Sequence, residues 1–289
     1  MTRYSIKDLE FLSGIKAHTI RIWEKRYQLL DPERSDTNIR YYSNEDVKRI
    51  LNVAMLVKNG YKISNVASFD NIKLQSEVLR QNRNLSDPEK NIDRLILHTV
   101  NLDLQGFEVL ISKIIEENGF SKAVQNIIFP FFERIGVLWQ AGSIFVTHEH
   151  FVSNLVRKHL IVEASRFDNL SSDKSMLFFL PEDEMHELGL LFLNYLAACN
   201  GYRCIYLGQN VPFDDLSQLL KSHPFDMLAT SFIYAIEKKE LEQYLINLSR
   251  IYKNKILISG RQVVIHKPAV PSNVAIIKNS GDFIKRITR

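Results

Sequence analysis

The spacing of apolar residues changes once along this chain, near Ser175, and that change most limits what it can fold into. Beyond it, short apolar runs alternate with helix-length stretches: Met176 to Leu180, Cys204 to Leu207, Met227 to Phe232, Ile256 to Ile258 and Val274 to Ile277. Such a series predicts βαβ units, hence a parallel sheet with helices on both faces. Before it the apolar residues recur at helical spacing. Ile92, Leu95 and Ile96, then Leu102 to Ile114, Ile127 to Leu138 and Phe151 to Ala164 predict four helices that bury their stripes as a bundle. A length of 289 residues accommodates two or three domains at roughly 100 to 150 residues each.

The N-terminal stretch reads as short helices and a hairpin. Ser5 precedes Ile6-Lys7-Asp8-Leu9 with an acid placed for a capping box, and Ser13-Gly14 breaks that helix early. Helical spacing resumes from His18 to Arg26 and stops at Asp31-Pro32, which is helix-turn-helix geometry. Arg34 to Tyr42 predicts a hairpin with a polar turn around Asp36 to Asn38, a candidate wing, and Ser43-Asn44-Glu45-Asp46 caps the next helix, which Gly60 ends. Residues near Gln75, Gln81, Asn82, Arg83, Asn84 and Ser86 lose the apolar periodicity and read as a linker. The expected domains are therefore 1–72, a linker over 73–90, a bundle over 91–170 and a sheet domain over 171–289.

A formal net charge of +4 is too small to argue for nucleic acid by itself, but its distribution is informative. Basic residues Lys16, Arg21, Lys25, Arg26, Arg34 and Arg40 cluster near the N-terminus among Trp23, Tyr27, Tyr41 and Tyr42. Thr19 and Arg21 are placed to reach base edges or phosphate; Lys16, Arg26, Arg34 and Arg40 can neutralise phosphates, and Tyr42 can donate its hydroxyl to one. No run of about 18 apolar residues predicts a membrane span, so a cytoplasmic protein is expected. Cys199 and Cys204 read as buried thiols. With no phosphate loop, nucleophile elbow or zinc spacing, an enzyme is not expected.

Arg3-Tyr4-Ser5-Ile6, Thr19-Ile20-Arg21-Ile22-Trp23-Glu24, Leu29-Leu30-Asp31-Pro32 and Arg40-Tyr41-Tyr42-Ser43 follow one another in the order of the signatures of the MerR family's DNA-binding domain, which this segment resembles. The resemblance implies a winged helix-turn-helix whose second helix enters the major groove of a double-stranded, two-fold operator, bound by a dimer.

In an open α/β sheet ligands bind beyond the carboxyl ends of the strands, so the loop after the first strand is the first place to look for chemistry. It reads Pro181-Glu182-Asp183-Glu184-Met185-His186-Glu187-Leu188-Gly189. Glu184 can take one imidazole proton of His186 and orient its other nitrogen, and Gly189 permits close approach. The acidic run Glu182, Asp183, Glu184 and Glu187 otherwise reads as a solvated loop. Glu184 to Gly189 resembles the cobalamin-binding motif Asp-x-His-x-x-Gly, which implies a Rossmann-like (flavodoxin-like) domain with His186 on cobalt and with Ser231 and Gly260 lining the displaced nucleotide tail. Here Ser259-Gly260-Arg261 stands where that family has Gly-Gly. Trp139 followed by Glu149-His150 is similar to the signature of cobalamin-dependent MerR photoreceptors of the CarH and LitR type. There the Trp covers the upper axial group while the Glu and His hold an adenosyl moiety. The light-sensing relatives carry His where this chain has Gln140. Together these resemblances imply a transcriptional regulator, dimer or tetramer, that answers to adenosylcobalamin and light. The alternative is a MerR-type regulator that uses the same region for another ligand or for protein contacts.

Overall fold

The computed structural model describes residues 4–34, 39–74, 77, 87–140, 144–168 and 171–288, the side chains of Phe11, Asn44, Val137 and Gln140 excepted. Two compact units result, Met1–Ser153 and Asn154–Arg289.

The first unit begins with the expected helix-turn-helix. Helix α1, Ile6–Ser13, opens on a capping box between Ser5 and Asp8 and closes on Gly14 at φ +70°. Helix α2, Ala17–Tyr27, has no capping side chain of its own; Glu10 of α1 instead accepts the Ala17 N–H at 3.0 Å. Strands β1, Glu33–Arg34, and β2, Arg40–Tyr41, pair antiparallel, and a bridge between Tyr4 and Tyr42 ties the N-terminus to the hairpin. The turn expected around Asp36 to Asn38 lies outside the described residues, as do the linker residues Gln75, Gln81 to Asn84 and Ser86. Residues 71–74, expected near the start of the linker, are helical. Helix α3, Asn44–Lys58, starts on a second capping box, Ser43 with Asp46, and the short α4, Ile63–Val66, follows. Leu9, Leu12, Ile20, Trp23, Val47, Ile50, Val53 and Leu56 form the buried core of this head. Arg49 clasps it from outside: its guanidinium group donates to the Leu29, Ala67 and Phe69 carbonyls and to the Asn71 side chain.

The bundle follows. Helix α5, Pro88–Val100, is capped by Asp87, and α6, Leu104–Asn118, by Asp103. A continuous helical rod then comprises α7, Phe120–Ala123, a π turn over Val124–Ile128, and α8, Phe129–Gln140. The π turn is where Phe129 donates to the Val124 carbonyl, immediately before Pro130, which has no N–H to give. Helix α9, Val146–Ser165, begins in this unit and runs on into the second. Ile92, Leu95, Phe107, Ile111, Phe131, Ile135 and Val152 are buried, with the Phe107 and Phe131 rings 5.9 Å apart. Asp93 of α5 joins this bundle to the head, meeting Arg134 of α8 at 2.6 Å and Lys58 of α3 at 3.3 Å.

The second unit is the predicted parallel sheet. Strands β3, Ser175–Pro181, β4, Arg203–Val211, β5, Met227–Ser231, β6, Lys255–Ser259, and β7, Val274–Ile276, lie in the order β4-β3-β5-β6-β7. Numbered within the sheet this is 2-1-3-4-5, the flavodoxin-like order with its switch point beside the first strand. The connecting helices are α10, Leu188–Cys199, α11, Phe213–Ser222, α12, Lys238–Ile251, and α13, Arg261–His266, and α14, Ser280–Ile287, ends the fold. Strand β3 is buried along its whole length, as the middle of a doubly covered sheet must be. Strand β4 runs past the expected end at Leu207 because shifts in its register against β3 carry the chain on to Val211.

Candidate functional site

The loop leaving β3 is held open by its neighbours. Asp183, at φ +65°, donates its N–H to the Asn210 side chain at 2.9 Å, and Gln209 donates to the Met185 carbonyl at 2.6 Å, so the end of β4 braces the turn. Glu184 is the centre of the arrangement and is only 4% exposed. One carboxylate oxygen accepts the His186 N–H at 2.9 Å and His186 Nδ1 at 2.7 Å. The other accepts the Ile233 and Tyr234 N–H groups, at 2.5 and 2.7 Å, from the loop beyond β5. Burial alone would push the Glu184 pKa up, but the bonds from the His186 ring and from the His186, Tyr234 and Ile233 backbone outweigh it and bring it down to about 2. A charged carboxylate on Nδ1 fixes the imidazole tautomer in which Nε2 carries the lone pair, the form a metal takes.

The solvated acidic loop expected here is corrected in half of its members. Glu182 and Asp183 are exposed, whereas Glu184 and Glu187 are both 4% exposed. Glu187 receives Arg157 of α9 and the Tyr206 hydroxyl of β4, at 3.0 Å in the second case, so the loop is anchored on both sides of His186. The physical reason is that a buried carboxylate keeps its charge when enough donors replace water. Among the described residues no cluster of three or more His, Cys, Asp or Glu is arranged to hold a metal ion by itself.

The two glycines of the expected ligand site differ in kind. A Cβ at Gly260 would lie 2.3 Å from the Phe232 carbonyl oxygen, and its φ is +106°, so the fold itself demands glycine there. At Gly189 a Cβ would meet nothing within 4 Å, so internal packing makes no such demand. Ser231 ends β5 at 2% exposure.

On the bundle, Trp139 stands 51% exposed in the last turn of α8. Glu149 accepts from Ser153 and pairs with His150 Nδ1 at 3.0 Å, in the first turns of α9. His148 is buried and stacked on Phe145, with Nδ1 accepting the Phe145 N–H. The side chain of Gln140 lies outside the described residues.

The head exposes Lys16, Arg21, Lys25, Arg26 and Arg34 and half-buries Thr19. Lys16 pairs with Glu10 at 3.2 Å, and Arg26 lies over the Tyr27 ring. Tyr42 departs from expectation. Its side chain is 1% exposed and its hydroxyl donates to Glu24 at 3.0 Å, while Arg40 holds the other oxygen of the same carboxylate at 2.9 Å. Burial, with Glu24 beside it, raises the Tyr42 pKa. This residue braces α2 against the hairpin instead of offering its hydroxyl to phosphate. Cys199 is likewise corrected: it ends α10 exposed, where the helix emerges from the core, while Cys204 is partly buried.

Two segments of the chain match known families. Residues 4–69 match the model of the MerR HTH family regulatory proteins, and residues 92–162, the bundle, match a B12 binding domain. The chain joins a MerR-type helix-turn-helix domain to a B12-binding domain. The HTH-type transcriptional repressor CarH of Myxococcus xanthus is 26% identical over 251 residues, covering 85% of this chain and 84% of that protein. The repressor CarA of the same organism is 26% identical over 246 residues, covering 83% and 80%. Among solved structures, the monomethylamine corrinoid protein of Methanosarcina barkeri superposes with a TM-score of 0.55 at 14% identity, over 69% of this chain and 98% of that one. That likeness shows the bundle-plus-sheet fold.

Several residues hold these domains together through contacts that no local pattern in the sequence announces. Glu24 organises Arg40 and Tyr42 in the MerR-type head, Arg49 clasps its loops, and Asp93 joins it to the B12-binding bundle. Their partners are 16 or more positions away, so no local spacing could have found them. Glu187 did have a signal, its place between His186 and Gly189, which its acidic neighbours obscured.

Proposed function

We propose that this chain is a cytoplasmic transcriptional regulator whose occupancy of a double-stranded operator answers to cobalamin, with His186 as the cobalt ligand. The observation that carries the reading is the Glu184–His186 pair at the carboxyl end of β3, a charged, buried acid that sets the imidazole tautomer beside the switch point of the sheet. The donor set fits the group: an imidazole held through Nδ1 by the Glu184 carboxylate, with open space around Gly189. Ser231 and Gly260 are the proposed residues along the nucleotide tail, and Trp139, Glu149 and His150 would hold the adenosyl moiety.

When bound as adenosylcobalamin, the cofactor supplies a cobalt centre and a light-sensitive cobalt–carbon bond. The chain would contribute the His186 imidazole as the cobalt ligand and the Glu184 carboxylate that orients it. Arg157 and Tyr206 on Glu187 hold the loop in place. Lys16, Arg21, Arg26 and Arg34 of the head are the proposed phosphate contacts, with Thr19 and Arg21 near base edges. In this reading the adenosyl form in the dark favours a dimer or tetramer that occupies the operator, and light releases it. The names of the two Myxococcus repressors support operator occupancy as the working state. Among the described residues no helix is long and apolar enough to cross a membrane, which is compatible with this role.

A second reading, a regulator that does without cobalamin, is favoured by Gly260, whose missing side chain the Phe232 backbone already explains. The visible spectrum of protein mixed with adenosylcobalamin in the dark and then desalted separates the two. Retained cofactor with a His-ligated spectrum, lost in His186→Ala, supports the sensor. Folded wild-type protein that retains none selects the second reading. Gel filtration of the same samples tests assembly, and an unchanged elution volume removes the oligomer switch.

A further inference from the structure

Helix α2 presents an outward face made of His18, Arg21, Ile22, Lys25 and Arg26, all exposed. Its other large apolar residues, Ile20 and Trp23, are buried, yet Ile22 stands 54% exposed. On a helix the surface neighbours of a residue lie three and four positions away, which for Ile22 are His18, Thr19, Lys25 and Arg26. An apolar side chain is thus set inside a ring of polar and cationic groups. Such a ring selects a polyanion, and the apolar centre selects a nonpolar group carried on it. The floor of the DNA major groove offers one such group, the C5-methyl of thymine.

We propose that Ile22 is a specificity residue of the DNA-reading helix, packing on the methyl of one thymine in each half-site. The proposal rests on the reading that this head binds DNA. It adds which base the helix prefers at one position, and why. Lys25 and Arg26 supply attraction that is indifferent to sequence, while Ile22 discriminates.

The test begins with selection of binding sites by the full-length protein from a randomised duplex pool. The selected duplex is then compared with duplexes in which single thymines are replaced by deoxyuridine, which removes the methyl and leaves the pairing intact. The expected result is one position per half-site where the replacement weakens wild-type binding about fourfold, the worth of one buried methyl group. Ile22→Ala is expected to bind the selected duplex about that much more weakly and to treat thymine and uracil alike. Ile22→Ser, read in parallel with circular dichroism to confirm folding, is expected to show the same indifference. A selected sequence without any methyl-sensitive position, or sensitivity that survives both substitutions, overturns the role of Ile22 alone. Failure of the wild-type protein to select any sequence overturns DNA reading by the head, and the proposal with it.

Discussion

Arg21 and Arg40 both belong to the basic cluster of the head, but their surroundings give them different work. Arg40 is engaged with Glu24, whose side chain is 11% exposed, and shares that carboxylate with Tyr42. Replacing Arg40 with Ala is expected to lower stability by about 1 kcal/mol in urea titrations, because Glu24 keeps only one of its two partners. Arg21→Ala is expected to leave the urea midpoint unchanged and to reduce the slope of log affinity against log salt by about 1. The glycines separate in the same manner. Gly260→Ala places a methyl group on the Phe232 backbone in a left-handed conformation, and a loss of about 3 kcal/mol is expected. Gly189→Ala meets open space inside a helix, so denaturation should show stability held or raised by up to about 1 kcal/mol. Under the cobalamin reading that same variant retains less cofactor after desalting, since its methyl group intrudes where the ligand approaches.

Among elements, α5 carries the connection between head and bundle. Asp93 accepts from Arg134 and Lys58 with its side chain 17% exposed, and Asp93→Ala is expected to speed hydrogen exchange at the end of α3 and along α5 before it affects α2. Uniform protection across the head in that variant would show that the ion pairs do not join the elements. The start of α9 carries a titrating group, His148. Burial lowers its pKa from the usual 6.5. The folded protein therefore binds its proton less readily than the unfolded chain, so this stability is complete above about pH 6.5 and is lost as pH falls through the folded pKa. Urea midpoints that decline as pH falls below about 6.5, with a shallower decline in His148→Asn, are the expected outcome.

For the molecule as a whole, a ligand that binds only the native state raises its stability by mass action, about 2.7 kcal/mol at a hundredfold excess over Kd. Adenosylcobalamin in the dark is accordingly expected to raise the melting temperature of the wild-type chain and leave that of His186→Ala where it was. Much of this organisation is legible in the sequence, because helix and strand declare themselves through local periodicity. The capping boxes at Ser5 and Ser43, the five strands, the bundle stripes and the Glu184–His186 pair each depend on residues a few positions apart. What the tertiary structure alone decided is which charged and polar groups are withdrawn from solvent. Tyr42 turns inward because Glu24 arrives from α2, and Glu187 is buried because Arg157 and Tyr206 reach it from other elements. Gly260 answers to a backbone 28 positions earlier. Periodicity reports the face a residue occupies on its own element, whereas the environment of a charge is set by what the rest of the chain brings against that face.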